Sequence, residues 1–234
     1  MRQLFIGGLV AAATWLPLAA QAQLHEGDIE LAVESGQIVT HGAAHFHGID
    51  GYALFEGDFG DLAGGPYKTD DPGFDSEVGV FASGALIEYV ALGGLQFWNG
   101  TAWTASVPTL EFVSLAGNFG ETTSWTVGGV TGDVSGFIGQ AGTNGKIHEH
   151  LDFSVARQGG GAPAVGAYLV QLQLRSDGLT SSDPFYLVLN RGLAAASFEG
   201  AVTALTTPVP EPGTWALMAA GLAAVGVAAR RRRN

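Results

Sequence analysis

The sequence predicts an all-β fold for its central part: an antiparallel β-sandwich, with a jelly roll or barrel as the alternative closure. Three observations carry this. Short runs of alternating apolar and polar residues recur about ten times, which is the period of half-buried strands. The chain holds 36 glycines and nine prolines, many of them clustered between those runs, where they suit tight turns and weaken helix interiors. No long stretch repeats apolar residues every 3.6 positions. About ten short strands at such spacing fit a two-sheet sandwich.

Taken in order, the alternating runs are 28–33, 37–40, 86–92, 96–98, 110–115, 124–127, 147–155, 168–174, 185–190 and 197–205. In the first, Ile29, Leu31 and Val33 share one face. In 147–155, Leu151, Phe153 and Val155 share the face of Ile147, leaving His148, His150, Asp152 and Ser154 on the other. The run 197–205 reads as the last strand, and 193–196 fits a helical turn just before it. Between the runs, 57–73 and Gly159-Gly160-Gly161 read as turns.

Both ends read as processing segments. Arg2, an apolar stretch over 4–18 and Ala20-Gln21-Ala22 predict a signal peptide, 1–22, removed by signal peptidase. The exported β-domain follows as 23–205 and a linker as 206–209. The tail, 210–234, opens with Pro210, Glu211 and Pro212, continues as an apolar run over 214–229, and ends with Arg230, Arg231, Arg232 and Arg233 before Asn234. The run predicts a transmembrane helix of about 24 Å at 1.5 Å per residue, short of a bilayer core of about 30 Å. Trp215 at one interface and snorkelling arginines at the other close the difference, with the arginines on the cytoplasmic side.

The formal charge is −12. Five of the ten basic residues lie in the end segments, which leaves the middle with five against 21 acids. Such a surface repels phosphate backbones and excludes nucleic acid as a partner, whereas cations suit it. Cysteine is absent, which removes disulfides, thiolate metal sites and cysteine nucleophiles.

The six histidines fall in three places: His25, near Asp28; His41, His45 and His47, followed by Asp50; and His148 and His150, followed by Asp152. Two histidines one residue apart on a strand can reach the same ion. Imidazole nitrogen with carboxylate oxygen suits zinc, and also copper, nickel or manganese. Asp28, Asp50 and Asp152 are the carboxylates at hand. The other reading keeps the histidines as surface residues or pH sensors. Calcium is the weaker cofactor: 70–77 is rich in carboxylates but lacks the spacing of an EF-hand loop and reads as a solvated turn. No nucleophile elbow, no zinc-protease helix motif and no phosphate-cradling loop occurs, so a binding protein is expected rather than an enzyme, a metal-dependent hydrolase being the remaining enzymatic reading. Trp98, Trp103 and Trp125 would suit sugar stacking if exposed and a sandwich core if buried.

The order Pro-Glu-Pro, apolar span, arginine cluster resembles the PEP-CTERM sorting signal of Gram-negative bacteria. That resemblance implies an exosortase partner, export across the inner membrane, membrane anchoring at least for a time, and a final place in the periplasm, cell surface or exopolysaccharide matrix. A shorter resemblance lies in His148-Glu149-His150-Leu151-Asp152-Phe153 and the following Gly166-Ala167-Tyr168-Leu169-Val170. It is similar to bacterial surface-anchored (choice-of-anchor) domains found near metal-uptake transporters, and to zinc-repressed PEP-CTERM proteins, and it implies zinc as the ligand with His25 and Asp28 as an early part of the site. Two functions follow: a surface protein that binds zinc, or a matrix protein that associates with polysaccharide.

Overall fold

The computed structural model describes residues 27–42, 53–62, 64–105, 107–108 and 110–206. In chain order the strands are β1 (Ile29–Glu34), β2 (Gln37–His41), β3 (Leu54–Asp58), β4 (Lys68–Thr69), β5 (Phe74–Ser76), β6 (Leu86–Trp98), β7 (Trp103–Thr104) and β8 (Glu111–Ala116). They continue with β9 (Thr122–Thr126), β10 (Gly129–Gly132), β11 (Ser135–Gln140), β12 (His148–Glu149), β13 (Asp152–Arg157), β14 (Gly166–Arg175) and β15 (Phe185–Arg191), and a single helix, α1 (Ala195–Thr206), closes the described chain. The fold is all-β, as the alternation predicts.

Three sheets share the work. The largest runs β11-β6-β14-β15-β3, with β7 on β6. Opposite it lie β10-β9-β8-β13-β4 and β12-β5-β1-β2. Most pairs are antiparallel, but β1 with β5 and β15 with β3 are parallel. The period of two explains the layering. On one face of the large sheet Tyr168, Val170, Leu172 and Leu174 of β14 join Ile29 and Phe74 from one facing sheet and Val113, Trp125 and Phe153 from the other in the main core. On the reverse face Ala167 and Leu169 meet Tyr186, Val188 and the helix residues Phe198, Ala201 and Val202 in a second core. Burying its middle strands on both faces makes that sheet the spine of the domain.

Several sequence expectations change here. Residues 197–205 belong to a helix, not a strand: Phe198, Ala201, Val202 and Leu205 form one stripe on the sheet, at spacings of three and four. Residues 86–92 and 96–98 are one strand, β6, carried through Gly93 at φ 65°, opposite a register shift in β14. The continuous strand expected over 147–155 is two: β12 pairs with β5 and β13 pairs with β8, so the chain changes sheets at His150 and Leu151. The alternation survives the change, with Ile147, Leu151, Phe153 and Val155 all buried. The three tryptophans are structural. Trp125 is fully buried and its indole N–H donates to Leu92 O (3.1 Å). Trp98 is buried beside Trp103, whose indole N–H donates to Ala201 O of the helix (2.8 Å). None of the three is an exposed sugar platform.

Among the described residues no helix is long and apolar enough to cross a membrane. The signal peptide and the tail, with its expected helix over 214–229, lie outside them.

Candidate metal centre

The small sheet β12-β5-β1-β2 builds the site from its strand registers. His148 of β12 stands opposite Asp75 of β5, and Glu149 opposite Phe74. Across the next ladder Phe74 stands opposite Ile29 of β1. One step further along both registers gives the row His150, Gly73, Asp28, and the backbone bond from Ile29 N–H to Gly73 O (2.9 Å) holds that row in place. Strands sit about 4.8 Å apart, so residues two strands apart do not normally touch. Here the middle position is glycine. A Cβ built on Gly73 would fall 2.6 Å from Cε1 of His150, so the imidazole occupies the space a side chain would take. The ring therefore reaches over the bare strand to the carboxylate of Asp28.

The result is a group of three donors. Ligand atoms of Asp28, His148 and His150 all lie within 4.8 Å of one another. Asp28 Oδ2 is 3.7 Å from His150 Nε2 and 3.8 Å from His148 Nδ1. Two donors sharing one zinc ion at about 2.0–2.2 Å, in tetrahedral arrangement, lie roughly 3.3–3.5 Å apart. The observed spacings exceed that by a few tenths of an ångström, and all are too long for hydrogen bonds. The two rings stand 5.2 Å apart at 72°.

Neighbouring groups aim these donors. Asp28 is 5% exposed, and its Oδ1 accepts the Gly73 N–H at 3.0 Å, which turns Oδ2 toward the rings. Asp70 O lies 2.9 Å from His150 Nδ1. A carbonyl only accepts, so Nδ1 donates here, and the other ring nitrogen, Nε2, is the one that faces Asp28. Asp71 Oδ1 lies 3.4 Å from the same Nδ1. Asp71 keeps half its side chain exposed, yet its carboxyl is held above the ordinary range, first by desolvation; His150 works against the rise, and Asp61, Asp70 and Asp28 add to it. On the other flank Asp75, 1% exposed, binds Lys146 Nζ at 3.0 Å and sets its Oδ1 3.5 Å from His148 Nδ1.

The expected ligands thus sort themselves. Asp28, His148 and His150 come together. Asp152 does not join them: it opens β13 in the neighbouring sheet, opposite Ala116, and is exposed, because the chain has changed sheets two residues earlier. His41 ends β2 opposite Glu30, and its Nε2 lies 3.1 Å from Glu34 Oε1, outside the group of three. His25, His45, His47 and Asp50 lie outside the described residues, as do Pro210, Glu211, Pro212 and Arg230 to Arg233.

Sequence reasoning read 70–77 as a solvated turn and so missed its part in the site. That segment supplies the Asp70 carbonyl, the Gly73 gap and Asp75. The signal lay in Phe74-Asp75-Ser76, a short alternating run hidden among carboxylates and turn residues.

No curated protein and no solved structure shows significant similarity to the chain. Residues 208–233 match the family described as the PEP-CTERM protein-sorting motif. This agrees with the order of Pro-Glu-Pro, apolar span and arginines in the tail, so the chain carries a PEP-CTERM sorting signal, which marks an exported protein sorted at the membrane and destined for exosortase processing.

Proposed function

We propose that the exported β-domain captures a transition-metal ion, zinc before others, through Asp28, His148 and His150, and that it does so as a binding protein rather than an enzyme. One observation carries this reading: three donors from positions 28, 148 and 150 meet around a common point, across a strand left bare at Gly73. Two imidazole nitrogens and a carboxylate oxygen suit zinc, and orienting bonds behind the ligands, such as that to Asp70 O, are what metal sites use to fix ring tautomers. An acidic exported domain also attracts cations to its surface. In this reading signal peptidase removes 1–22, the helix over 214–229 holds the protein at the inner membrane until exosortase acts, and the domain works in the periplasm or at the cell surface.

The matrix reading, association with exopolysaccharide, draws less support, since Trp98 and Trp125 are in the core and Trp103 packs half-buried against it. The test is a zinc titration of the full-length chain in mild detergent beside H148A/H150A. Stoichiometric binding by the intact chain, weakened at least a hundredfold in the variant, is expected. An intact chain that takes up no zinc at micromolar concentration would sink the proposal and turn attention to polysaccharide.

A further inference from the structure

We infer that Asp75 is the fourth donor of this site and that Lys146 holds its carboxylate until a divalent ion displaces it. The inference rests on Asp28, His148 and His150 being the other three.

Asp75 is buried on the strand beside β12, directly opposite His148. Its Oδ1 lies 3.5 Å from His148 Nδ1, nearer than the 3.8 Å of Asp28 Oδ2. That is the spacing of two atoms sharing one tetrahedral ion. The group of three omits Asp75, since its carboxylate does not come within 4.8 Å of all three of the other ligand atoms, so Asp75 joins them only by turning toward the ion once Lys146 lets go. Lys146 Nζ sits 3.0 Å from Oδ1 and 3.4 Å from Oδ2, and the Ser76 N–H donates to Oδ1 at 2.8 Å. The ammonium is thus the resident cation of a carboxylate that would otherwise be costly to bury.

A divalent ion on the other three donors changes this balance. It brings two positive charges close to the ammonium, and like charges a few ångströms apart repel strongly where water is scarce. Asp75 is fixed by its strand. Lys146 is not: its side chain is 23% exposed and ends a flexible stem that can withdraw into water. The ammonium leaves, and Asp75 turns an oxygen to the ion. Two imidazoles and two carboxylates then surround it, the four-donor set that zinc prefers, and the two carboxylates neutralise its charge. One positive charge has been exchanged for two on the same buried acid, and the competing ammonium keeps the metal exchangeable.

The experiment uses the full-length chain in mild detergent, titrated with zinc and, for spectra, with cobalt(II). Lys146→Gln removes the competitor. It is expected to bind zinc about tenfold more tightly. It should also show a larger zinc-induced rise in Tm, because its metal-free form loses the compensation of Asp75 and the ion restores it. Asp75→Asn is expected to bind at least tenfold more weakly and to lose the intense visible absorption of four-coordinate cobalt. The double variant D75N/K146Q removes acid and base together, which protects folding, and should bind as weakly as D75N. A K146Q chain that binds zinc no more tightly than the parent, or a D75N/K146Q chain with unchanged affinity and cobalt spectrum, overturns the inference. Either result on a parent chain that binds zinc leaves the three-donor reading standing; a parent that binds none removes both.

Discussion

At the scale of single residues, Gly73 matters more than its chemistry suggests. It is the middle of a three-strand row in which His150 and Asp28 face each other, and the imidazole lies where a methyl group would have to go. Gly73→Ala meets the end of a movable side chain rather than backbone, so the ring turns aside and the sheet survives. The expected outcome is a loss of zinc affinity of tenfold or more with a fall in Tm of only a few degrees, read by titration and thermal melting of the same preparation. A large loss of stability would instead make Gly73 a folding residue. Neither His-x-His spacing nor acid content announces such a position. It emerges only once two registers are stacked, which explains why the histidine pair and Asp28 were named from the sequence and Gly73 was not. Asp28 was named because it follows His25; it belongs for another reason, the pairing of β1 with β5.

At the scale of elements, strands with strict alternation were the readable part. β8 alternates over Glu111–Ala116 and appears where expected. Failure came where two periods overlap. In 197–205, Phe198, Val202 and Ala204 satisfy a strand, while Phe198, Ala201, Val202 and Leu205 satisfy a helix. The reverse face of the large sheet decides for the helix, since it offers Leu169, Tyr186 and Val188 to a stripe about one helix wide. Within this helix Gly200 is exposed, and a Cβ there meets nothing within 4 Å. Gly200→Ala is therefore expected to stabilise the domain by about 0.5–1 kcal/mol, visible as a higher denaturant midpoint with an unchanged slope. Phe198→Ala should do the opposite, costing about 3 kcal/mol by opening a cavity under the helix. The break between β12 and β13 was not legible at all, because burial alternates straight through it. Only the change of hydrogen-bonded partner marks it.

For the whole molecule, the main core ties all three sheets together, and one of its members, Tyr168, is expected to make stability depend on alkaline pH. Tyr168 is fully buried, and its hydroxyl donates to Ala164 O at 2.7 Å. Burial raises its pKa well above the ordinary tyrosine value, Glu111 raises it further, and Arg191 offsets part of the rise. Tyr89, also in the core, is raised for the same first reason. A pKa raised on folding gives stability that is whole below the unfolded value, near pH 10, and is lost as pH climbs toward the folded one. The domain should hold its stability through neutral pH and unfold steeply above about pH 10. Tyr168→Phe removes a hydrogen bond worth about 1 kcal/mol at neutral pH and should flatten the alkaline fall. Equilibrium unfolding of both proteins from pH 7 to 11 checks this; parallel curves would refute it.

The meeting of positions 28, 73 and 148 has one more consequence, and it concerns time. These residues are far apart along the chain, and no short segment contains the site. Closing loops of that length comes late in folding, after local hairpins have formed. An unfolded chain has the histidines but not the cage. If the chain crosses the membrane unfolded and the site holds an ion as proposed, that ion is selected where the chain folds, by the supply outside the membrane, and not by the metal pool of the compartment in which the chain was made.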